Sequence, residues 1–598
     1  MKRLSIRCCL VVFVFVLVGL AHAVPAPSTL IANVPGRTTV NLNGAWHAIV
    51  DPFDNGKGGF FRNEKAHSKS DRVEYSFDAS PVLNVPGDWN TQREELMFYE
   101  GPVWYRREFN YQKRADRRVF VYFGAVNYQA IIYLNGEKLG EHEGGFTAFN
   151  FEATSVLKDG ENVLIIEVNN MRRADAVPAL KFDWWNYGGI TRDVLLIEEP
   201  ATFIQDYSVQ LSRGSQSEIS GSVQLNGAQS PQKITLEIPE AGVHESLASD
   251  ATGRANFRFS AKVDLWSPAH PKLYEVILTS GADTIHDQIG FRTIEVQGTN
   301  ILLNGKPIFL RGISMHEEAP FRGGRAFSAE DAQTLLGWVK DLGCNFVRLT
   351  HYPHNENEVR LADRMGLLVW SEIPVYWDVD WSNPATLANA EAQLRDMIAR
   401  DHNRAAVILW SLSNETPVKP ERLTFLKQLA QDARELDSTR LITSAMNHVD
   451  DTGADERTLT DPLADVLDVF GLNEYLGWYW ARPEDADKMH WKSKWNTPLI
   501  VSEFGGGAQF GRHGDTDERW TEEYQENLYR HQLVMLERIP NLAGLTPWVL
   551  MDFRSPTRLL PGVQDYHNRK GVISDRGQRK RAFYTLQKFY KKLADAGK

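Results

Sequence analysis

From about Gly298 onward the chain alternates short apolar runs with segments of helical spacing, and this rhythm constrains the fold more than any other feature. The strand candidates are Ile308 to Ile313, Asn345 to His351, Leu367 to Ile373, Val407 to Glu415, Leu441 to Asn447, Val469 to Tyr475, Leu499 to Phe504 and Leu542 to Trp548. Between them, Leu335, Trp338, Val339 and Leu342 follow a Ser328 cap and end at Gly343, and Leu423, Leu426, Leu429 and Ala433 repeat the same spacing. Eight strand-helix units over about 300 residues predict a C-terminal (β/α)8 TIM barrel, whose chemistry sits at the C-terminal ends of its strands. On this count Glu415 ends the fourth strand and Glu503 the seventh.

These two glutamates share a setting. Ile408-Leu409-Trp410 leads into Ser411-Leu412-Ser413-Asn414-Glu415, and Pro498-Leu499-Ile500-Val501 leads into Ser502-Glu503-Phe504-Gly505. A single glutamate at a strand end is as a rule a solvated rim residue or a salt-bridge partner. Two at matching ends of buried strands fit a glycosidase pair, in which one protonated and one ionised carboxyl stand about 5 Å apart for hydrolysis with retention.

Upstream of the barrel the pattern is β throughout. Val119 to Phe123, Ala130 to Gly136 and Val163 to Val168 are short runs broken by Gly, Asn and Asp, which predicts a β-sandwich over residues 24–200. Lys233 to Ile238 and Tyr274 to Leu278 continue in a second stretch, 201–296, of a length that suits an immunoglobulin-like β-sandwich. The barrel takes 297–598. Residues 1–23 have a basic head, an apolar run from Cys8 to Leu20 and a small-x-small end at Ala21-His22-Ala23, the pattern of a signal peptide. A periplasmic or secreted protein is expected, with no membrane association once the leader is removed. Cys8 and Cys9 leave with it, so Cys344 alone remains, no internal disulfide can form, and its place beside an apolar strand predicts a packed residue. The formal charge of −11 argues against nucleic acid as a partner.

Several ordered motifs extend the reading: Val85-Pro86-Gly87-Asp88-Trp89 and Gly101-Pro102-Val103-Trp104-Tyr105-Arg106-Arg107 in the first region, Leu265-Trp266-Ser267-Pro268 in the second, and Asn304-Gly305-Lys306-Pro307, Arg348-Leu349-Thr350-His351-Tyr352-Pro353 and the two glutamate motifs in the third. Taken together the chain resembles glycoside hydrolase family 2, over nearly its whole length after the leader. The resemblance implies a sugar-binding jelly roll as first domain, Glu415 as acid/base, Glu503 as nucleophile, and Asn414 holding the sugar 2-hydroxyl. Within the family the likeness is strongest to the β-glucuronidases, because Asn568-Arg569-Lys570-Gly571 is similar to their Asn-x-Lys element that grips the C6 carboxylate. Its middle residue is Arg569 where well-known bacterial members have lysine, and Arg558 is the best counterpart of an arginine that assists carboxylate binding in some relatives. The resemblance further implies sugar contacts from Asp183, on a loop reaching over the barrel mouth, and from Asn473, Tyr475, Tyr479, His316, His351 and Trp548.

A uronic acid brings negative charge into a cleft already holding two carboxyls, so a cation and an amide donor near C6 offset repulsion. The expected activity is therefore exo-acting, retaining hydrolysis of terminal β-D-glucuronides, with β-galactosidase or β-galacturonidase of the same family as alternatives and a non-enzymatic carbohydrate-binding protein as a remote third. The proposed chemistry uses no cofactor. His316 and His351 with Glu317 or Glu372 lack the spacing of a tight metal motif, so no metal is expected. The aglycone and the oligomeric state are open, although a homo-oligomer is common among such relatives. The charge of Glu503 is expected to raise the proton affinity of Glu415, Trp184 and Trp185 should face opposite sides, and the Asp515 to Glu518 cluster should start a helix near Trp520.

Overall fold

The computed structural model describes residues 29–598 apart from 64, 66–69, 71–74, 229 and 454, so the predicted leader lies outside the described residues. In the first region a four-stranded antiparallel sheet (Thr39–Asn41, Val194–Glu199, Arg118–Phe123, Phe149–Glu152) faces a six-stranded one built on Pro102–Tyr111 and Gly160–Asn169. The alternation seen in Gln129–Leu134 turns Ala130, Ile132 and Leu134 inward, where they meet Val121, Phe123, Leu164 and Ile166. The next region repeats the arrangement on a smaller scale, with sheets of three and four strands closing over Ile219, Val223, Leu236, Val276 and Leu278.

A hairpin, Asn300–Leu303 and Lys306–Pro307, leads into the barrel, and its two-residue loop is Asn304-Gly305, both at positive φ (54° and 76°). Asn-Gly adopts this tight turn at low cost, which is why the motif stands there. The barrel strands are β1 (Leu310–Arg311 with Ser314–His316), β2 (Phe346–Thr350), β3 (Leu368–Glu372), β4 (Val407–Asn414), β5 (Leu441–Met446), β6 (Val469–Asn473), β7 (Leu499–Glu503) and β8 (Leu542–Leu545). All neighbours are parallel. The first piece of β1 pairs with β8 and the second with β2, so the sheet closes on itself. The eight expected strands are present, and β1 reaches three residues further than its apolar run suggested. Its break falls at Gly312, where an added Cβ would lie 2.7 Å from both Phe346 and Thr546; the close packing moves the chain on and delivers His316 to the mouth.

The connections depart from eight regular helices. Ala329–Asp341 carries the expected Ser328 cap, closed by a reciprocal bond with Asp331, and Pro420–Leu436 matches the second spacing noted above. After β5 and β6, however, the described connections hold only the short 3-10 turns Pro462–Asp465 and Pro483–Asp487 and a small three-stranded sheet. The cluster Asp515 to Glu518 lies in a turn before the helix Glu522–Leu536, whose cap is Thr521 and whose first-turn acids are Glu522 and Glu523. Thr521 satisfies a free backbone N–H at 3.1 Å, a role the upstream acids do not fill. Cys344 is buried.

Candidate active site

Glu415 follows β4 and Glu503 ends β7, so both project from the C-terminal rim of the barrel. Arg348, fully buried on β2, ties the two strands together. Its Nη1 donates to Glu503 Oε1 at 2.9 Å and to the Ser502 carbonyl at 3.1 Å, and its Nη2 donates to Asn414 Oδ1 at 2.7 Å. The remaining face of the guanidinium meets Glu372 at 3.2 Å. With Oδ1 taken, Asn414 has its amide N–H groups left to donate. Asn473 holds the other carboxyl: its Nδ2 donates to Glu415 Oε1 at 3.0 Å, while its Oδ1 accepts from Ser502 at 2.7 Å. The second oxygen of Glu415 accepts from Trp377 Nε1 at 3.1 Å, and the second oxygen of Glu503 from the Tyr475 hydroxyl at 2.6 Å.

Burial pushes the Glu503 carboxyl up to about 8; the Arg348 guanidinium opposes this and the nearby charge of Glu415 adds to it. At the dry end of β7 the cost of burying charge on Glu503 thus outweighs the pull of the guanidinium. Geometry still favours Glu503 as the seat of negative charge. It bonds a cation, whereas Trp377 and Asn473, which donate to Glu415, are neutral.

His351 Nδ1 lies 2.7 Å from Glu372, and burial pushes its pKa down to about 4, so the ring is neutral at physiological pH. The carboxylate partner fixes Nδ1 as the protonated nitrogen, leaving Nε2 as an acceptor. Trp548 stacks on this ring at 4.9 Å and 20°, and His316 sits edge-on to Trp548 at 5.2 Å. His316 bonds the Tyr352 hydroxyl through Nδ1, while its Nε2 has no partner. Phe182 and Trp184 pack into the same wall, while Trp185 turns away toward Phe98 and Tyr566, as adjacency implied.

A second group of polar side chains adjoins the carboxyls. The Lys570 ammonium, 4% exposed, donates to the Tyr479 hydroxyl at 2.8 Å and lies 5.5 Å over the Tyr475 ring. Among the described residues no carboxylate lies within ion-pair distance of it. Asp183 crosses from the first domain to meet Arg558, Ser555 (2.6 Å), Thr557 (3.1 Å) and Asn568 (3.0 Å). Burial would raise the Asp183 carboxyl, but Arg558 and Lys570 hold it below its usual range. Asp183, for which the resemblance implied sugar contacts, accepts here from the chain's own donors and braces the segment that carries Asn568. Arg569 points the other way, to Asp575 at 2.6 Å, as alternation along an extended segment requires. Tyr479 is 57% exposed at the rim, where its ring meets Tyr475 edge-on at 5.1 Å and its hydroxyl accepts from Lys570.

All twelve expected residues therefore line one mouth or brace it. The bracing roles of Arg348 and Glu372 were not foreseen, Glu372 having been weighed only as a metal ligand, and Trp377 was not singled out. A charged residue inside the apolar runs Phe346–Thr350 and Leu368–Glu372 was the available signal for the first two, since buried Arg and Glu are rare unless paired. A cavity of about 660 Å³ lies at the other end of the barrel; its lining includes Lys306, Arg311 and Lys340 but no carboxylate, so it cannot host the two-carboxyl chemistry.

Comparisons with known proteins agree with this architecture. The family model for the glycosyl hydrolases family 2 sugar binding domain matches residues 42–200, the glycosyl hydrolases family 2 model matches 202–292, and the TIM barrel domain model of that family matches 294–594. A β-glucuronidase of Paenibacillus borealis is 28% identical, with 92% of this chain and 96% of the relative covered; the human β-glucuronidase is also 28% identical, covering 94% and 92%. Among solved structures, a β-glucuronidase from an uncultured Clostridium superposes with a TM-score of 0.81 at 25% identity, over 95% of this chain and all of that one. A β-glucuronidase of Ruminococcus gnavus in complex with a C6-substituted uronic isofagomine gives 0.79 at 25%, over 94% and 99%. Three family domains in the family's order, ending in a barrel with paired glutamates at its mouth, make this chain a glycosidase that belongs to glycoside hydrolase family 2.

Proposed function

We propose that the enzyme is an exo-acting retaining β-glucuronidase. The observation that carries this reading is Lys570: a buried ammonium bonded to one phenol and to no carboxylate, beside the nucleophile's own Tyr475. Asp183 offsets one of the two nearby cations, Arg558 and Lys570, so the group holds an excess positive charge. The carboxylate of a uronic acid is the anion that completes it. Names of relatives support the reading: the Paenibacillus and human proteins are β-glucuronidases, and the Ruminococcus structure binds a uronic ligand.

In the proposed reaction Glu503 attacks the anomeric carbon as Glu415 gives its proton to the departing oxygen. Water then cleaves the glycosyl ester with Glu415 as base, and the β configuration is kept. Arg348 and Tyr475 stabilise the Glu503 charge, Asn414 donates to the 2-hydroxyl, His351 Nε2 accepts from a sugar hydroxyl, and Trp548 lies against the ring. The leader-like start at residues 1–23 supports export to the periplasm or beyond.

Activity on 4-nitrophenyl β-D-glucuronide, galacturonide, galactoside and mannoside tests the assignment; preference for a neutral sugar ends the Lys570 reading. The pH profile gives a second check. Glu503 must be ionised to attack, its carboxyl stands high at about 8, and Arg348 is the chief group pulling it down. Arg348→Gln raises it further, so the acid limb of kcat/KM moves to higher pH. Each pH unit of that movement costs about tenfold at neutral pH and is regained on the alkaline side. An acid limb left in place shows that Arg348 does not govern the nucleophile.

A further inference from the structure

Two residues that face one another at the mouth hold backbone conformations that L side chains seldom adopt: Trp377 at φ +54° and Glu415 at φ +49°. For a bulky residue this is costly, and such outliers persist where the surroundings enforce them. Here they do. The Trp377 backbone N–H donates to the Asn414 carbonyl at 3.0 Å, Asn414 N–H returns to Val375 at 2.9 Å, and Glu415 N–H is held by Ala445 at 2.8 Å. The next residue, Asp378, is pinned by Trp381 Nε1 at 2.6 Å and by Lys419 at 3.1 Å. The outcome of this bracing is one contact: the Trp377 indole N–H on Glu415 Oε2.

We propose that Trp377 is a positioning residue for the acid/base, and that it sets how well the enzyme cleaves glycosides with poor leaving groups. The inference rests on the assignment of Glu415 as proton donor. An indole N–H donates and never accepts, so the carboxyl cannot aim its own proton at the indole. With Asn473 on Oε1, the two donors fix the plane of the carboxyl and leave its proton directed into the mouth. As the bond from Glu503 to the anomeric carbon forms and the glycosidic C–O bond breaks, that proton passes to the departing oxygen and the electron pair of the broken bond stays there. A nitrophenolate leaves well without the proton; an alkoxide does not. Nothing in the sequence marks Trp377, because the left-handed backbone that aims it is set by β4.

Trp377→Phe keeps the ring and removes the donor. The readout is kcat/KM, which reports glycosyl-enzyme formation, for 4-nitrophenyl, phenyl and methyl members of whichever β-glycoside series the wild-type enzyme prefers. The loss is expected to be about tenfold greater for the methyl than for the 4-nitrophenyl member, a fraction of the full value of general acid catalysis. In a Glu415→Ala background the same change is expected to add no leaving-group dependence. An equal loss across the series, as a merely structural role gives, overturns the inference, as does the same added dependence without Glu415. A wild-type preference for galactosides overturns the glucuronide reading and leaves this comparison intact, so the two failures are distinguishable.

Discussion

Glu503→Gln is expected to lower turnover of 4-nitrophenyl β-D-glucuronide by about 10⁴-fold or more, the scale of losing a covalent nucleophile. The substitution keeps the shape of the side chain, and burial already disfavours charge at this position, so the fold should survive it. Arg348 retains Glu372 and Asn414 as partners when the Glu503 charge is gone. Thermal unfolding near that of the wild type, together with the collapse of turnover, checks the assignment. A variant that kept even one hundredth of the rate would show that another group makes the covalent bond.

Lys570→Ala is expected to cost the glucuronide about 10²- to 10³-fold in kcat/KM, because the sugar's carboxylate would enter a buried site without its cation. A galactoside has no charge there and should be cleaved no worse. The ratio of the two substrates is the measurement. If both fell together, the ammonium would matter only as a brace for Tyr479 and the ring of Tyr475.

Much of the framework was legible because parallel barrel strands are buried on both faces and read as unbroken apolar runs. That property located both glutamates, at the points where polarity returns after Trp410 and after Val501. Two kinds of feature were hidden. One is partnership across the chain: Asp183 and Asn568 meet from 385 residues apart, and Lys580, in a polar stretch of the sequence, is fully buried on Asp552 at 2.7 Å. The other is local geometry without a compositional mark, as in Trp377. The missing helices after β5 and β6 had a weaker cue, since Asp450-Asp451-Thr452-Gly453 and the prolines Pro462 and Pro483 carry no helical spacing.

The hand that Asp183 extends across the domain boundary has an evolutionary corollary. A barrel inherited alone would keep both scissile carboxyls yet lose the anchor that sets Arg558 and Asn568 in place. Under the proposed glucuronide reading, a chimera that exchanged one domain without the other is expected to discriminate less well between charged and neutral sugars, since Arg558 and Asn568 would lose their partner.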